Sequence, residues 1–432
     1  MHTKKTAAAM VAVAAILAGC SSTATTAPAT AAPTTAPTAA PTAMASTAPS
    51  SAASSPAASG SSMTPGSFDS SFSAMALLKP VTSAGTGLVG VVMPDTTSST
   101  RWVNFDAPYL MQAFTAAGYS ASDFKIENAG GVDSVQLSMA QADITNGAKV
   151  LIIAPNSSTV GNQIQAYAAA HNVAMISYDR ATFQGNSTFY VSFDNVQVGE
   201  LIGKGFLQCV TDWGVTTPKV FTVDGGQDTD PNAIDFAKGY NDAVWGQKVA
   251  QVAAGATNSQ GMTLVGEQLA PGWNNAQGGT IFQQAFTAHP EINATIEAND
   301  GLANAVITDL KTAGVPAKKI PTTGQDATLQ GMEYVLQNFQ CGSVYKAIYL
   351  EAQDAVTIAT FLRAGQQPPA SLMNGTTTDP KNASISEPAS LLTPIWVNAA
   401  NMEQTVIKDN FIKASDLCAA VGASVCTAAG IQ

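Results

Sequence analysis

From Gly87 onward the chain alternates between two textures. Short, nearly continuous apolar runs have the length of buried strands. Between them, apolar residues recur at the spacing of one helix face. The run Gly87-Leu88-Val89-Gly90-Val91-Val92-Met93 predicts a buried strand ended by Pro94. Phe105, Leu110 and Phe114 share helical spacing, which predicts a helix over 102–118 with Gly118 as its stop. Lys125-Ile126-Glu127-Asn128 predicts a weaker strand, 132–146 a helix closed by Gly147, and Val150-Leu151-Ile152-Ile153-Ala154-Pro155 an apolar strand. A helix ending near His171 and strands over 173–178 and 189–193 continue the series.

The rhythm then restarts. Helices are predicted over 196–210, 233–247, 275–288 and 301–313, and strands over 220–224, 264–269, 294–298 and 320–324. Strand–helix alternation with short loops predicts parallel sheets with helices on both faces. The expected fold class is therefore α/β: two doubly wound parallel-sheet lobes joined by three crossing strands. The crossings are expected near 192–194, 344–346 and 395–398. The first lobe would hold 86–193 and 346–396, the second 194–345 and 397–416, with a tail over 417–432. Ligands of parallel sheets bind beyond the carboxyl ends of the strands. Asp179-Arg180, Asn299-Asp300 and Gln325-Asp326 fall at such ends.

Upstream the composition changes. Lys4 and Lys5 precede a short apolar stretch over 6–18, as in a signal peptide spanning 1–19. Leu17-Ala18-Gly19-Cys20 resembles the lipobox of bacterial lipoproteins, which implies cleavage before Cys20 and lipidation of its thiol. Residues 20–80 are almost wholly Ala, Thr, Ser and Pro, a composition that predicts a disordered, extended linker. Of five cysteines, Cys209, Cys341, Cys418 and Cys426 remain after Cys20. In an exported protein these permit two disulfides in three connectivities. The favoured one closes the short Cys418–Cys426 loop and leaves Cys209–Cys341 by elimination; free thiols are the alternative.

Charge and chemistry narrow the function. A net charge of −11 argues against a nucleic-acid partner, which would need a basic face. No mature segment is long and apolar enough to span a bilayer. His2 lies in the signal, and His171 and His289 follow helical runs away from the strand-end loops. Metal-spaced Cys/His clusters, a phosphate loop and a nucleophile elbow are all missing from the pattern, so no cofactor or metal is expected. These features argue against an enzyme, although paired Asp residues could imitate a glycosidase dyad. A repressor would need an N-terminal helix-turn-helix where the linker stands.

The segments Ser177-Tyr178-Asp179-Arg180, Phe189-Tyr190-Val191-Ser192-Phe193-Asp194-Asn195, Gly272-Trp273, Gly324-Gln325-Asp326 and Val344-Tyr345-Lys346 resemble periplasmic sugar-binding proteins of ABC transporters, and within that family its D-xylose-binding members. Arg101-Trp102 and Asn299-Asp300 match too, and the resemblance runs over about 86–416. It implies the type I periplasmic binding protein fold. It also implies ligand contacts from Arg101, Trp102, Asp179, Arg180, Asn232, Trp273, Asn299, Asp326 and Lys346.

The chemistry of those residues fits a pyranose. Indoles suit its C–H faces, and Trp102 and Trp273 come from different lobes. Asp accepts, Arg and Lys donate, and Asn does both at the hydroxyl rim. Each residue type also has a plainer use: an indole in the core, Asp179-Arg180 as a surface pair or cap, Asn299 as an N-cap, Lys346 as a solvated strand end. The expected partners are a monosaccharide (xylose or a related aldose), the membrane permease and ATPase of an ABC importer, and the membrane through the lipid anchor. The body is expected to be a monomer outside the cytoplasm, with no nucleic acid bound. A lipoprotein presenting sugar to a membrane receptor is the alternative.

Overall fold

The computed structural model describes residues 62–183, 188–226 and 230–432. The expected signal peptide, Cys20 and the linker up to residue 61 lie outside the described residues.

The linker was expected to reach residue 80, but the chain is folded from Met63 onward. Short 3-10 turns at Pro65–Ser67 and Ser73–Leu78 lead into helix α1 (Lys79–Ala84). Met63, Phe68, Phe72, Met75, Leu78 and Val81 are all buried. Composition hid them: the apolar residues are sparse, yet their spacing brings them onto one core. Gln353 Nε2 donates to the Asp69 carbonyl at 2.8 Å and Ser371 Oγ to the Met63 carbonyl at 2.6 Å, which pins the segment.

Strand β1 (Leu88–Met93) follows. A helix was expected from residue 102; instead a π-helical turn, Trp102–Asp106, precedes helix α2 (Ala107–Ala116). Pro108 lies at the start of α2 and has no N–H to continue the turn's bonding pattern. Then come β2 (Phe124–Asn128), α3 (Asp133–Thr145), β3 (Ala148–Ile153), α4 (Ser158–Ala170), β4 (Ala174–Tyr178) and β5 (Thr188–Phe193). The central strands β1, β3 and β4 are mostly apolar because both faces are covered, while the edge strand β2 carries Lys125 and Glu127. Val89, Val91, Val150 and Ile152 enter one core, and Val92, Leu151 and Ile153 enter the other, beneath α3 and α4. This is the two-residue period of a strand seen from both sides.

The chain crosses into a second body through α5 (Asn195–Asp212), whose N-terminus Asp194 caps by accepting from Gln197 N at 3.0 Å. There follow β6 (Lys219–Asp224), α6 (Pro231–Trp245), β7 (Thr263–Leu269), α7 (Asn275–Ala288), β8 (Ala294–Glu297), α8 (Asp300–Thr312) and α9 (Leu329–Leu336). The second sheet runs β7-β6-β8, all parallel. The strand expected over 320–324 does not form a regular ladder. Side chains take over in part: Glu297 N donates to Thr323 Oγ1 and Thr323 N to Glu297 Oε2, both at 2.9 Å.

After β9 (Ser343–Tyr345) the chain returns through α10 (Ile348–Arg363), β10 (Gly375–Thr378) and β11 (Ser386–Leu392), and β12 (Ile395–Val397) pairs antiparallel with β9. The first sheet has the order β10-β11-β5-β4-β3-β1-β2. It is parallel except for the edge hairpin β10–β11, where an all-parallel sheet was expected. The three passages between sheets follow Phe193, Tyr345 and Leu392.

Helices α11 (Ala414–Val421) and α12 (Ala423–Ala428) end the chain. Residues 397–416, expected in the second lobe, touch both. Phe411 stacks on Phe105 of the first lobe at 4.0 Å, while Tyr345 and Tyr349 donate to Asp409 Oδ2 at 3.1 and 2.9 Å. Cys209 is bonded to Cys341 and Cys418 to Cys426. Among the described residues no helix is long and apolar enough to cross a membrane.

Candidate functional site

The carboxyl ends of β1, β4, β6 and β8 face one another across the cleft. They and the β9–α10 crossing surround a small cavity between the lobes. Arg101, Trp102, Asp179, Arg180, Asn232, Trp273, Asn299, Asp326 and Lys346 all line it, so every residue singled out in the sequence reaches the same space. Ser98, Ser99, Phe236 and Gln325 complete the wall.

Several of these side chains occupy unusual backbone positions. Asp179, Trp273 and Asp326 have φ of 60°, 59° and 89°, the left-handed region that non-glycine residues rarely enter. Such conformations persist only where the surroundings dictate them. At Trp273 the dictation is visible: Gly225 leaves the indole room to lie where any Cβ would collide with its ring. The indole N–H donates to Asp230 Oδ2 at 3.0 Å, which leaves its carbon face for the cavity. Asp230 also accepts from Asn232 N as the cap of α6, so one carboxylate positions both residues.

Trp102 is held at its edge and covered by cations. Its N–H donates to Ser98 Oγ at 3.1 Å, and Ser98 donates to Asp95 Oδ2 at 2.6 Å. The guanidinium carbons of Arg101 and Arg180 stand 4.6 and 5.2 Å from the ring centroid. Arg180 is oriented by the Pro155 carbonyl at 3.0 Å.

Arg101 is the centre of the polar wall. Its Nε donates to Asp106 Oδ2 at 2.9 Å, and its Nη2 to Asp106 Oδ1 and Glu351 Oε2, both at 2.7 Å. Nη1 donates to Asp179 Oδ1. A guanidinium has five N–H groups, so one at Nη1 has no partner among the described residues. Burial works against this charge, but Asp106, Asp179 and Glu351 outweigh it and hold Arg101 ionised well above its usual range. Asp179 is also buried, yet Arg101, Lys346 and Arg180 hold its carboxyl below the usual value. The Asp179 carboxylate is thus kept ionised, with Oδ2 facing no protein donor among the described residues.

Asp326 receives Ser99 Oγ at 3.0 Å and pairs with Lys346 Nζ at 2.9 Å; Lys346 stands 3.7 Å from Asp179. Asn232 Nδ2 donates to the Asp179 carbonyl at 2.8 Å, and Tyr190 OH to the same oxygen at 2.6 Å. Ser99–Asp326 and Asn232–Asp179 each join one lobe to the other. Asn299 caps α8 by accepting from Leu302 N at 2.9 Å and lines the cavity as well. Its neighbour Asp300 turns away. Ser343, Gln340 and Thr328 donate to it, and burial pushes its carboxyl up to about 7.

Some wall residues carried a sequence signal that went unused. Phe236 sits one helical turn beyond Asn232 on α6, and same-face spacing could have found it. Gln325 lies within the Gly324-Gln325-Asp326 segment itself. Asp106 and Glu351 had no local signal, because their partner is set by tertiary packing. Among the described residues no cluster of three or more His, Cys, Asp or Glu side chains could hold a metal ion.

The sequence model of the periplasmic binding protein domain matches residues 89–367. A D-xylose-binding periplasmic protein of Escherichia coli K12 is 32% identical over 293 residues, covering 68% of this chain and 82% of that protein. A multiple sugar-binding periplasmic receptor of Rhizobium radiobacter is 28% identical over 78% of this chain and 94% of its own. The fold resembles a carbohydrate transporter solute-binding protein of Chloroflexus aurantiacus solved with D-glucose, with a TM-score of 0.63 and 24% identity over 77% of this chain and 98% of that one. Two α/β lobes with three crossings are the type I arrangement, and the chain belongs to the periplasmic binding protein family.

Proposed function

We propose that this chain is an extracytoplasmic solute-binding protein that clamps one monosaccharide between its lobes, D-xylose or a related aldose, and delivers it to the permease and ATPase of an ABC importer. One observation carries the reading: an indole from each lobe lines a single cavity whose remaining wall is mostly buried polar and ionic groups. Flat apolar faces with a polar rim match a pyranose, whose C–H surfaces meet the indoles and whose hydroxyls meet Asp179, Asp326, Asn299, Lys346 and the spare Arg101 N–H. An uncharged ligand is favoured because Arg101 and Lys346 are already paired with carboxylates. Charge-assisted hydrogen bonds fix hydroxyl geometry, and an analogue lacking one hydroxyl leaves a buried group unpaired. The names of the related proteins support a sugar as the class and xylose as the first member to test. A lipid at Cys20 would tether the body to the outer face of the membrane. The relative named as a receptor favours a second reading, in which the sugar-loaded form is presented to a membrane sensor.

Titration calorimetry against aldopentoses and aldohexoses tests the proposal. D-xylose is expected to bind with a dissociation constant of about 1 μM, near −8 kcal/mol. Heat with a hexose and none with xylose would reassign the ligand. No heat with any monosaccharide would overturn the reading.

A further inference from the structure

We propose that Glu351 is a positioning residue for the sugar site and that it braces Arg101 as a neutral carboxyl. The proposal rests on the sugar-binding reading above and concerns a residue that does not line the cavity.

The geometry behind Arg101 holds one acid too many. Asp106, Asp179, Asp326 and Glu351 are joined through Arg101 and Lys346, with Arg180 the third cation acting on Asp179. Four buried carboxyls thus face three cations in a place where an unpaired charge is expensive. One proton retained in the cluster balances it.

Hydrogen bonding selects the carboxyl that keeps the proton. Both Asp106 oxygens accept from Arg101, and Tyr178 OH adds a third bond at 2.8 Å. Asp179 has Arg101 and Lys346, and Asp326 has Lys346 and Ser99. Among the described residues Glu351 has a single donor, Arg101 Nη2 on Oε2, and its buried Oε1 has no partner. An anion with one oxygen stripped of donors is the costliest member to leave charged. The groups facing Glu351 are Arg101 and Asp106 from the π-helical turn and its approach, Tyr178 and Asp179 from β4, Tyr190 from β5, and Lys346 from the crossing. Burial first, then Asp179 and Asp106, push the Glu351 carboxyl well up, against the pull of Arg101. The positive end of α10 opposes this, because Glu351 lies in the first turn of the helix.

In this arrangement Glu351 fixes the second Nη2 hydrogen without adding a charge. Arg101 keeps its orientation, and its spare Nη1 hydrogen stays aimed at the cavity.

Two measurements test this, and the first needs no sugar. Thermal unfolding of wild type and Glu351→Gln is followed from about pH 5 to about pH 9. A neutral Glu351 keeps its proton when folded and loses it when unfolded, so wild type loses stability with rising pH beyond the loss that the other buried carboxyls impose on both proteins. The melting temperature of E351Q should therefore gain on wild type by roughly 4 °C or more across the range. A constant gap, or one moving in favour of wild type, overturns the neutral carboxyl. Second, calorimetry with the best-binding monosaccharide at neutral pH should find E351Q within about 3-fold of wild type and Glu351→Ala weaker by about 10-fold or more. Glu351→Ala binding like wild type, or E351Q losing as much as Glu351→Ala, overturns the positioning role. Should wild type bind no sugar, the functional reading fails by itself, and the pH series still decides the state of Glu351.

Discussion

Trp273, Asp179 and Asp326 each hold a left-handed backbone at the rim of the cavity. Gly225 leaves the Trp273 indole its room. A single methyl at this position falls on the Trp273 ring. Gly225→Ala is expected to lower sugar affinity as much as Trp273→Ala does, by about 2 kcal/mol or roughly 30-fold, while the folded body survives. Calorimetry of both variants checks this, and wild-type affinity in Gly225→Ala would remove the claim that the indole grips ligand from this pose. Asp326→Asn takes the near carboxylate from Lys346 and leaves a buried ammonium without its close partner. Such truncations cost on the order of 2–5 kcal/mol. An affinity loss below about 3-fold, measured the same way, would mean that Asp326 is not part of the grip.

At the scale of elements, legibility followed from how local each cause was. Helix α7 spans the predicted 275–288, because Asn274 announces its cap and the apolar spacing is strong. Strands buried on both faces announced themselves as apolar runs. The segment over 320–324 failed as a strand because its bonds are scattered: Pro321, Thr322 and Gly324 carbonyls accept from Thr295, Cys341 and Val344 backbones, while Glu297 and Thr323 exchange side-chain bonds. Met63 to Val81 were masked by the Ala/Ser/Thr/Pro texture around them, and only α10 and its neighbours give those apolar residues a surface. The cavity residues flank strand ends and were readable from type and place. Their supports were not: Glu351 meets Arg101 from 250 residues away. The Cys209–Cys341 disulfide ties α5 to the approach to β9 across a separation of 132 residues. A loop of that size contributes about 4–5 kcal/mol in the chain-entropy account. Cys341→Ser should lower the melting temperature by roughly 10 °C in calorimetric scans, clearly more than loss of the Cys418–Cys426 bond, whose separation is 8. Equal losses would contradict the loop-length argument.

At the scale of the whole molecule, buried carboxyls set the pH response. Burial raises Glu297 to about 8 and both Asp300 and Asp354 to about 7. The unfolded chain releases these protons near pH 4, while the folded chain holds them until pH 7 or 8. Stability from these groups is therefore complete only below about pH 4 and is lost progressively as pH rises to the folded values. The loss is about 4–5 kcal/mol per group at most. Denaturant unfolding of the ligand-free protein should show a midpoint falling from about pH 5 to pH 8. A rising midpoint would mean that these acids are ionised in the fold.

The two lobes meet through Ser99–Asp326 and Asn232–Asp179, and the same residues line the cavity. Ligand and lobe closure are thus read by one set of atoms, and a sugar favours the closed form by its differential affinity for it. A crystal structure grown with D-xylose tests this most directly. The account predicts one pyranose between Trp102 and Trp273, with Asp179 Oδ2 accepting from a hydroxyl and the spare Arg101 N–H donating to another. A sugar bound outside this cavity, or an empty cavity at saturating xylose, would contradict it.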